Sequence, residues 1–365
     1  MLWLMAAAWR GRIDIMKVKL SNLKISHIAS GLPHQIINIS EYEKYFNEKE
    51  VKRIKKSTGV ESVHVADESM CTSDYGVILA KRLMKESSLT GDDFDGIVFI
   101  SQTPDYRVPA TSVIMQDRLG LPQSAVAFDI NYGCSGYVYG LYQAALLVSS
   151  GSCQRVLVFT GDTQLRMIHE QDRGNRMVLG DGFAVTVVER GAQTMCFNIH
   201  SDGSGYQYIF MEAGGWRLPK SAETAQPVMD KNGHPRWPEY TYMDGLEIMN
   251  FALSQVPPMV KDTLEYAGWQ LDEVGTFAMH QANQLILEFL AKRIGVSLDR
   301  MPIELKHMGN TVSASVPLML SKTHKELVAR NGLSKVLICG FGVGLSWGAL
   351  TTDLSDTVIY DIWEI

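Results

Sequence analysis

The chain reads as an α/β protein made of two copies of one unit, and three observations lead there. Short β-branched runs alternate with longer helical patterns, the arrangement that packs helices against a largely parallel sheet. The order of elements in the first half recurs in the second. The spacing recurs as well: Cys134 lies 33 positions after Ser101, and Asn310 lies 30 after His280. At 365 residues, the chain is about twice the ~150 of one domain, so two halves fit, taken as 16–190 and 191–365.

In the first half, Asp95–Ile100 is a buried strand because Gly96-Ile97-Val98-Phe99-Ile100 is unbroken by polar residues. Thr111–Leu119 is a helix stopped by Gly120-Leu121-Pro122, since glycine closes a helix and proline cannot continue it. Ala125–Ile130 is the second strand, Tyr137–Ser149 a helix ending at Gly151, and Arg155–Thr160 the third strand. Gly180-Asp181-Gly182 then turns the chain into a fourth, Phe183–Val188. The stretch from Trp216 to Asp244 is rich in Pro, Gly and polar residues and reads as a loop insertion placed to line a pocket. In the second half, Val274–Met279 is a strand and Gln284–Ile294 a helix closed by Gly295. Met301–Leu305 is strand-like, Ser313–Lys322 helical and Lys335–Cys339 a strand. Gly340-Phe341-Gly342-Val343-Gly344 is a turn into the last strand, Trp347–Asp353.

Composition narrows the function. Apolar residues make up 46% and charged residues 20%, ordinary values for a folded domain. Lys and Arg number 34 against 40 Asp and Glu, a net charge of −6, which argues against a nucleic-acid partner. A local basic patch on such a chain can still receive an acidic protein. Five scattered cysteines, with no CxxC and no HExxH, give no zinc site and no disulfide framework, and fit a reduced, cytoplasmic setting. No run of about 18 apolar residues occurs, so no membrane-spanning helix is expected. Met1 to Trp9 is apolar, but Arg10 and Arg12 follow that run and no Ala-x-Ala site comes after it. It therefore departs from a signal peptide, and Met16 is the expected natural start.

Three residues carry candidate chemistry. Cys134, in Asn131-Tyr132-Gly133-Cys134-Ser135-Gly136, falls at a strand-to-helix turn, where the helix dipole and free N–H groups favour a thiolate. The flanking glycines permit a tight turn and close approach of a ligand. By itself it is a nucleophile or a buried structural thiol. His280 ends a strand and precedes Gln281-Ala282-Asn283, at the edge of an α/β sheet where ligands bind. Asn310, in Gly309-Asn310-Thr311, precedes a helix and suits an N-cap as well as a catalytic amide. All three fall at strand-to-helix transitions of the repeated pattern.

These residues resemble those of β-ketoacyl-acyl-carrier-protein synthase III, a condensing enzyme of the thiolase superfamily. The likeness rests on Cys134 in its glycine-flanked turn, His280-Gln281-Ala282-Asn283, Gly309-Asn310-Thr311 with Ser313-Ala314-Ser315, and the Gly-rich tail ending in Trp347-Gly348. It runs from about Ile25 to Asp353. The resemblance implies a thiolase-like fold, two βαβαβ halves in five αβαβα layers, and a homodimer. It implies that Cys134 holds an acyl group as a thioester, and that His280 and Asn310 stabilise the enolate of a decarboxylated malonyl thioester. The backbone N–H groups of Cys134 and Val343 would polarise the acyl carbonyl. Arg173 and Asn283 would hold the pantetheine arm and nucleotide of acyl-CoA or acyl carrier protein, with Phe341 also on the substrate path. No metal or organic cofactor is implied.

The departures concern substrate. Arg53 stands where relatives stack adenine on a Trp, and Ser57 where they carry Arg before Thr58-Gly59, which weakens CoA recognition. Lys52-Arg53-Ile54-Lys55-Lys56 offers four positive charges for a carrier protein or a phosphate, or a merely solvated face. Val108 matches a Phe that the partner subunit of acetyl-specific relatives places in the acyl pocket, so a longer or branched acyl group would fit here. Leu285 replaces one carrier-docking Arg, while Lys292 and Arg293 stay basic. The expected function is decarboxylative condensation in fatty-acid or related acyl biosynthesis. Its rivals are a specialised acyltransferase or polyketide-type condensing enzyme, and a non-catalytic subunit of a heteromeric synthase.

Overall fold

The computed structural model describes residues 16–231 and 233–365, so the reading of Met1 to Trp9 and of Met16 as the start falls outside or at the edge of the described residues. Ten strands form one large sheet: β1 (Met16–Leu32), β2 (Gly96–Ile100), β3 (Val126–Ile130), β4 (Arg155–Asp162), β5 (Gly182–Ser201), β6 (Thr276–Met279), β7 (Val336–Gly342), β8 (Ser346–Thr352), β9 (Val358–Ile359) and β10 (Trp363–Glu364). The main order is β6-β7-β8-β5-β4-β2-β3, with β1 along β5 and β9 and β10 on the other edge of β1.

The long antiparallel ribbon of β1 and β5 is the spine. Its register runs from Met16 opposite Ile199 to Gly31 opposite Phe183, broken by a bulge at Leu23, which faces both Arg190 and Gln193. On one side of that bulge β5 pairs with β4, and on the other with β8. The two halves thus fan out from one shared ribbon. The division expected between residues 190 and 191 lands at the bulge, inside a continuous strand.

Among the described residues there are seven α-helices: α1 (Glu48–Thr58), α2 (Thr72–Ser87), α3 (Thr111–Leu119), α4 (Gly136–Ser149), α5 (Gly245–Ala267), α6 (Gln284–Ile294) and α7 (Ser315–Ala329). Strand alternation sorts them into layers. Ile97 and Phe99 of β2 face the core of α2 and α3, while Val98 and Ile100 face α4 and α7. In the other half, Phe277 and Met279 of β6 face the core of α5 and α6, and Ala278 faces the shared α4–α7 layer. The result is five layers, helix–sheet–helix–sheet–helix, with α4 and α7 in the middle.

The repeat also shows in the connections. Chain leaving β2 passes through α3 and β3 to Cys134 and α4; chain leaving β6 passes through α6 to Asn310 and α7. The strand expected at Met301–Leu305 is not one. That segment occupies the place of β3 in its half, but Phe277 N–H reaches only Arg300 O (2.7 Å), and the Gln281 amide takes over, donating to Pro302 O (3.3 Å) and accepting from Glu304 N–H (2.8 Å). A side chain there substitutes for a ladder. The glycine run is also less of a turn than expected, because β7 continues through Gly342. The insertion from Trp216 to Asp244 carries three two- and three-residue strands, Val228–Met229, Pro235–Arg236 and Thr241–Met243, the last paired with Ile209–Met211.

Candidate active site

Cys134 sits in the turn from β3 to α4, closed by Gly136 N–H to Gly133 O (2.7 Å). Strand β7 presses against it. A Cβ at Gly342 would lie 2.7 Å from Cys134 Cβ and 3.0 Å from Sγ, and one at Gly340 would lie 2.8 Å from Ser135 Cα. Glycine is required at both places by that close approach. The hairpin after β7 is tied to the same turn: Ser346 Oγ donates to Val343 O (2.6 Å) and accepts from Ser135 Oγ (2.7 Å). The backbone N–H groups of Val343 and Cys134 both bear on the thiol and lower its pKa, yet burial outweighs them and pushes it up to about 12. The thiolate expected from the helix N-terminus is therefore not the resting form, because desolvation of the charged sulfur dominates.

His280 ends the β6 stretch, with its N–H on Cys339 O (2.7 Å), and is buried. Burial drops its pKa to about 3, against a smaller opposing contact with the Val312 backbone, so the ring is neutral at physiological pH. Ser315 Oγ lies 2.7 Å from His280 Nδ1 and accepts from Gln281 N–H (3.3 Å). With the Ser315 hydroxyl donating to Nδ1, the ring proton is on Nε2. Phe341 packs edge-on against the ring, centroids 5.4 Å apart.

Asn310 is fixed from both ends of its amide unit. Its N–H donates to Val178 O (2.9 Å), and its Oδ1 accepts from Val312 N–H (2.9 Å). That leaves the Nδ2 hydrogens to face a ligand. Val312 adopts φ +54° to make this contact, a left-handed conformation that a β-branched residue rarely takes. Such strain persists where surroundings impose it, characteristically at functional sites. Beneath the turn, buried Asp162 accepts from Gln102 N–H (2.6 Å), Ser101 Oγ (3.1 Å) and Ser313 Oγ (3.3 Å), joining the two halves; burial raises its pKa to about 7.

Two cavities meet at Cys134. One, of about 360 Å3, is lined by Cys134, His280, Asn310, Phe341, Asn283 and Arg173, and reaches α1 at Arg53 and Ser57. The other, of about 290 Å3, continues past Cys134 beside Val343 and Val312. A thiol where two cavities meet, flanked by N–H donors and by neutral His and Asn side chains, can accept an acyl group and stabilise an oxyanion.

Comparison with known proteins gives the same direction. Residues 128–203 match the model of 3-oxoacyl-[acyl-carrier-protein] synthase III, and residues 264–354 match the model of its C-terminal part. The β-ketoacyl-[acyl-carrier-protein] synthase III of Caldanaerobacter subterraneus is 33% identical over 323 residues, 88% of this chain and 94% of that protein. The chain belongs to the β-ketoacyl-acyl-carrier-protein synthase III family. The Streptococcus gordonii synthase III is also 33% identical, over 90% of this chain and 98% of its own length. Among solved structures, a 3-oxoacyl-(acyl-carrier protein) synthase from Burkholderia xenovorans superposes with a TM-score of 0.89 at 33% identity, covering 96% of this chain and 99% of that one. The priming β-ketosynthase of the R1128 polyketide pathway gives 0.77 at 26% identity, over 92% and 97%. The thiolase-like fold and the condensing acyltransferase class follow.

Within this synthase III chain, the candidate residues divide by place. Cys134, His280, Asn310, Asn283, Arg173 and Phe341 share one cavity, and Val343 lines the other. Asn283 caps α6, its side chain accepting from Ile286 N–H (2.9 Å), so the amide nitrogen is the end left for a ligand. Arg173 pairs with Glu50 of α1 (2.6 Å), which ties the two sides of the cavity mouth together. Val108 is 84% exposed and lines neither cavity of its own chain. Ser315 and Asp162 touch the site only through other residues, Val312 lines the second cavity, and a sequence holds no sign of their orientation. Among the described residues no helix is long and apolar enough to cross a membrane, and no group of three or more His, Cys, Asp or Glu could hold a metal ion.

A thiol with a pKa near 12 is ionised to only about one part in 10^4 at pH 8. Alkylation of Cys134 by iodoacetamide is expected to speed up about tenfold per pH unit from 7 to 10. A plateau near pH 8 in the mass-resolved rate would contradict the burial argument.

Proposed function

We propose that the chain catalyses decarboxylative Claisen condensation of an acyl thioester with malonyl-acyl carrier protein. The observation that carries this reading is the shared cavity that brings Cys134, His280 and Asn310 together at the end of an approach from α1. Cys134 attacks the acyl thioester; its proton leaves with the departing thiol of CoA or of a carrier pantetheine, and the N–H groups of Cys134 and Val343 hold the tetrahedral oxyanion. The malonyl thioester then loses CO2. The electron pair of the broken C–C bond becomes an enolate, whose oxygen takes hydrogen bonds from His280 Nε2 and Asn310 Nδ2. The enolate carbon attacks the acyl-cysteine, and the sulfur leaves and takes up a proton. Arg173 and Asn283 hold the pantetheine arm. No cofactor enters these steps.

The approach is basic. Lys55, Lys56 and Lys306 line a groove of about 500 Å3 beside α1, which suits an acidic carrier protein in the cytoplasm more than a nucleotide lacking its aromatic platform. Exposed Phe128 and Val108 lie by edge strand β3, a face that a second copy would cover in a homodimer, with Val108 entering the partner's acyl pocket. Each copy then remains one α/β unit with halves at 16–190 and 191–365. The test is carboxyl-labelled malonyl-carrier protein incubated with acyl-CoA and enzyme. One CO2 released per C–C bond formed is expected; acyl transfer to an alcohol or amine without CO2 overturns the proposal.

A further inference from the structure

Asp162 is tied to both sides of the site and lines neither cavity at Cys134. It ends β4 and is 1% exposed. Its carboxylate accepts three hydrogen bonds: Oδ1 from Gln102 N–H (2.6 Å) and Ser101 Oγ (3.1 Å), and Oδ2 from Ser313 Oγ (3.3 Å). The charged group that bears on it most is another carboxylate, Asp181. A buried carboxylate without a cation costs stability that a leucine of similar volume would not. What three donors on two oxygens add is rigidity, since a fully satisfied buried network holds one geometry.

One arm of this network reaches the nucleophile. Gln102 rests its side chain on Gly133: a Cβ there would lie 2.5 Å from Gln102 Oε1 and 2.7 Å from Val343 Cγ1. The residue before Cys134 is thus wedged between Gln102, whose backbone Asp162 holds, and Val343, whose N–H bears on the sulfur. The other arm reaches the enolate side. Ser313 is the middle residue of the short turn Val312–Ala314, directly after the Val312 N–H that fixes Asn310 Oδ1 (2.9 Å). Val312 holds φ +54° there, and a strained backbone persists only where its surroundings over-determine it. Asn310 pins one side of Val312, and the contact of Ser313 with Asp162 pins the other.

We propose that Asp162 is a positioning residue for both half-reactions, holding the Cys134 turn through Gln102 and the Asn310 amide through Ser313. It thereby fixes the nucleophile and the enolate donor relative to each other. The proposal rests on the condensing reading, which supplies the two half-reactions, and adds a residue that touches neither substrate. Its role lies in the reach of two oxygens. An amide in the same place keeps all three partners, because Oδ1 still accepts from Gln102 and Ser101 while Nδ2 donates to Ser313 Oγ. Leucine keeps the volume and loses all three.

The experiment follows adduct formation on Cys134 from acetyl- and butanoyl-pantetheine by intact-protein mass spectrometry, and CO2 release from carboxyl-labelled malonyl-carrier protein. Both are measured on the parent chain, Asp162→Leu, Asp162→Asn and Ser313→Ala, with the folded fraction of each taken from a urea titration. Asp162→Leu is expected to lower the maximum rate of both half-reactions by about tenfold or more, at unchanged half-saturating concentrations, because small misplacements act on rate. Asp162→Asn recovers most of both. Ser313→Ala cuts one arm only: CO2 release falls by about tenfold while adduct formation stays near the parent rate, a split that lost stability does not produce. If Asp162→Leu does not fold, that split carries the test. Parent rates in folded Asp162→Leu overturn the proposal, and so does a Ser313→Ala chain that releases CO2 normally or slows both half-reactions equally. Asp162→Asn as damaged as folded Asp162→Leu overturns positioning in favour of the carboxylate's charge. A parent chain that forms no adduct and releases no CO2 counts against the condensing reading itself.

Discussion

Cys134→Ala is expected to take up no acyl group from any thioester, yet to go on releasing CO2 from malonyl-carrier protein. His280 and Asn310, the proposed enolate donors, lie on the same cavity, and that role makes no use of the sulfur. His280→Ala and Asn310→Ala are expected to show the reverse. Each still forms the acyl adduct, because the N–H groups that act on the thiol come from Cys134 and Val343. Each loses about 10^2–10^3 in decarboxylation, the usual cost of removing one oxyanion donor. His280 is the clearer case, since its pKa of about 3 keeps the ring neutral, so it has a single N–H to offer and no cationic charge to contribute. Adduct mass and labelled CO2, measured on the same preparations, separate the two half-reactions. Loss of acylation in His280→Ala at full folding would instead make His280 the base for the thiol and displace the roles assigned here.

The candidate site was legible where residue type and position both carried information. A cysteine between glycines, a histidine ending a strand and an asparagine opening a helix each stand at a recurring transition, and the structure puts all three on one cavity. The strands with unbroken apolar runs were legible too, β2 and β4 within a residue or two. What could not be read is what depends on three-dimensional company. The thiol's dipole-stabilised anion was a fair local inference, but burial, invisible in the sequence, reverses it. The strand at Met301–Leu305 has strand-like composition, and only the Gln281 side chain, arriving from another segment, takes its ladder bonds. The long ribbon of β1 and β5 also escaped, because Lys17, Lys19 and Lys24 alternate through a strand that is solvated along one half.

Gly342→Ala is expected to damage acylation about as severely as loss of a donor, although it removes no functional group. The added Cβ would stand 2.7 Å from Cys134 Cβ and 3.0 Å from Sγ, closer than non-bonded carbons approach, so either β7 withdraws or the nucleophile turn shifts. Neither can move freely. A Cβ at Gly340 would likewise stand 2.8 Å from Ser135 Cα, so β7 is already close against the turn, and Ser346 links Ser135 to the carbonyl of Val343. The displacement therefore reaches the Val343 N–H, whose bearing on the sulfur is what an oxyanion hole needs. Overpacking of this kind costs about 1–3 kcal/mol, and a misplacement of about 1 Å costs about 10^2-fold in rate. The rate of adduct formation should fall by about that factor while adduct, once formed, still condenses through His280 and Asn310. Cys134→Gly in the same background removes the clashing Cβ and should recover the lost stability in a urea titration, with no recovery of acylation. Equal stability of Gly342→Ala and the parent chain, with normal acylation, would mean that β7 has room the geometry denies it, and that the hairpin rather than the strand sets the position of Val343.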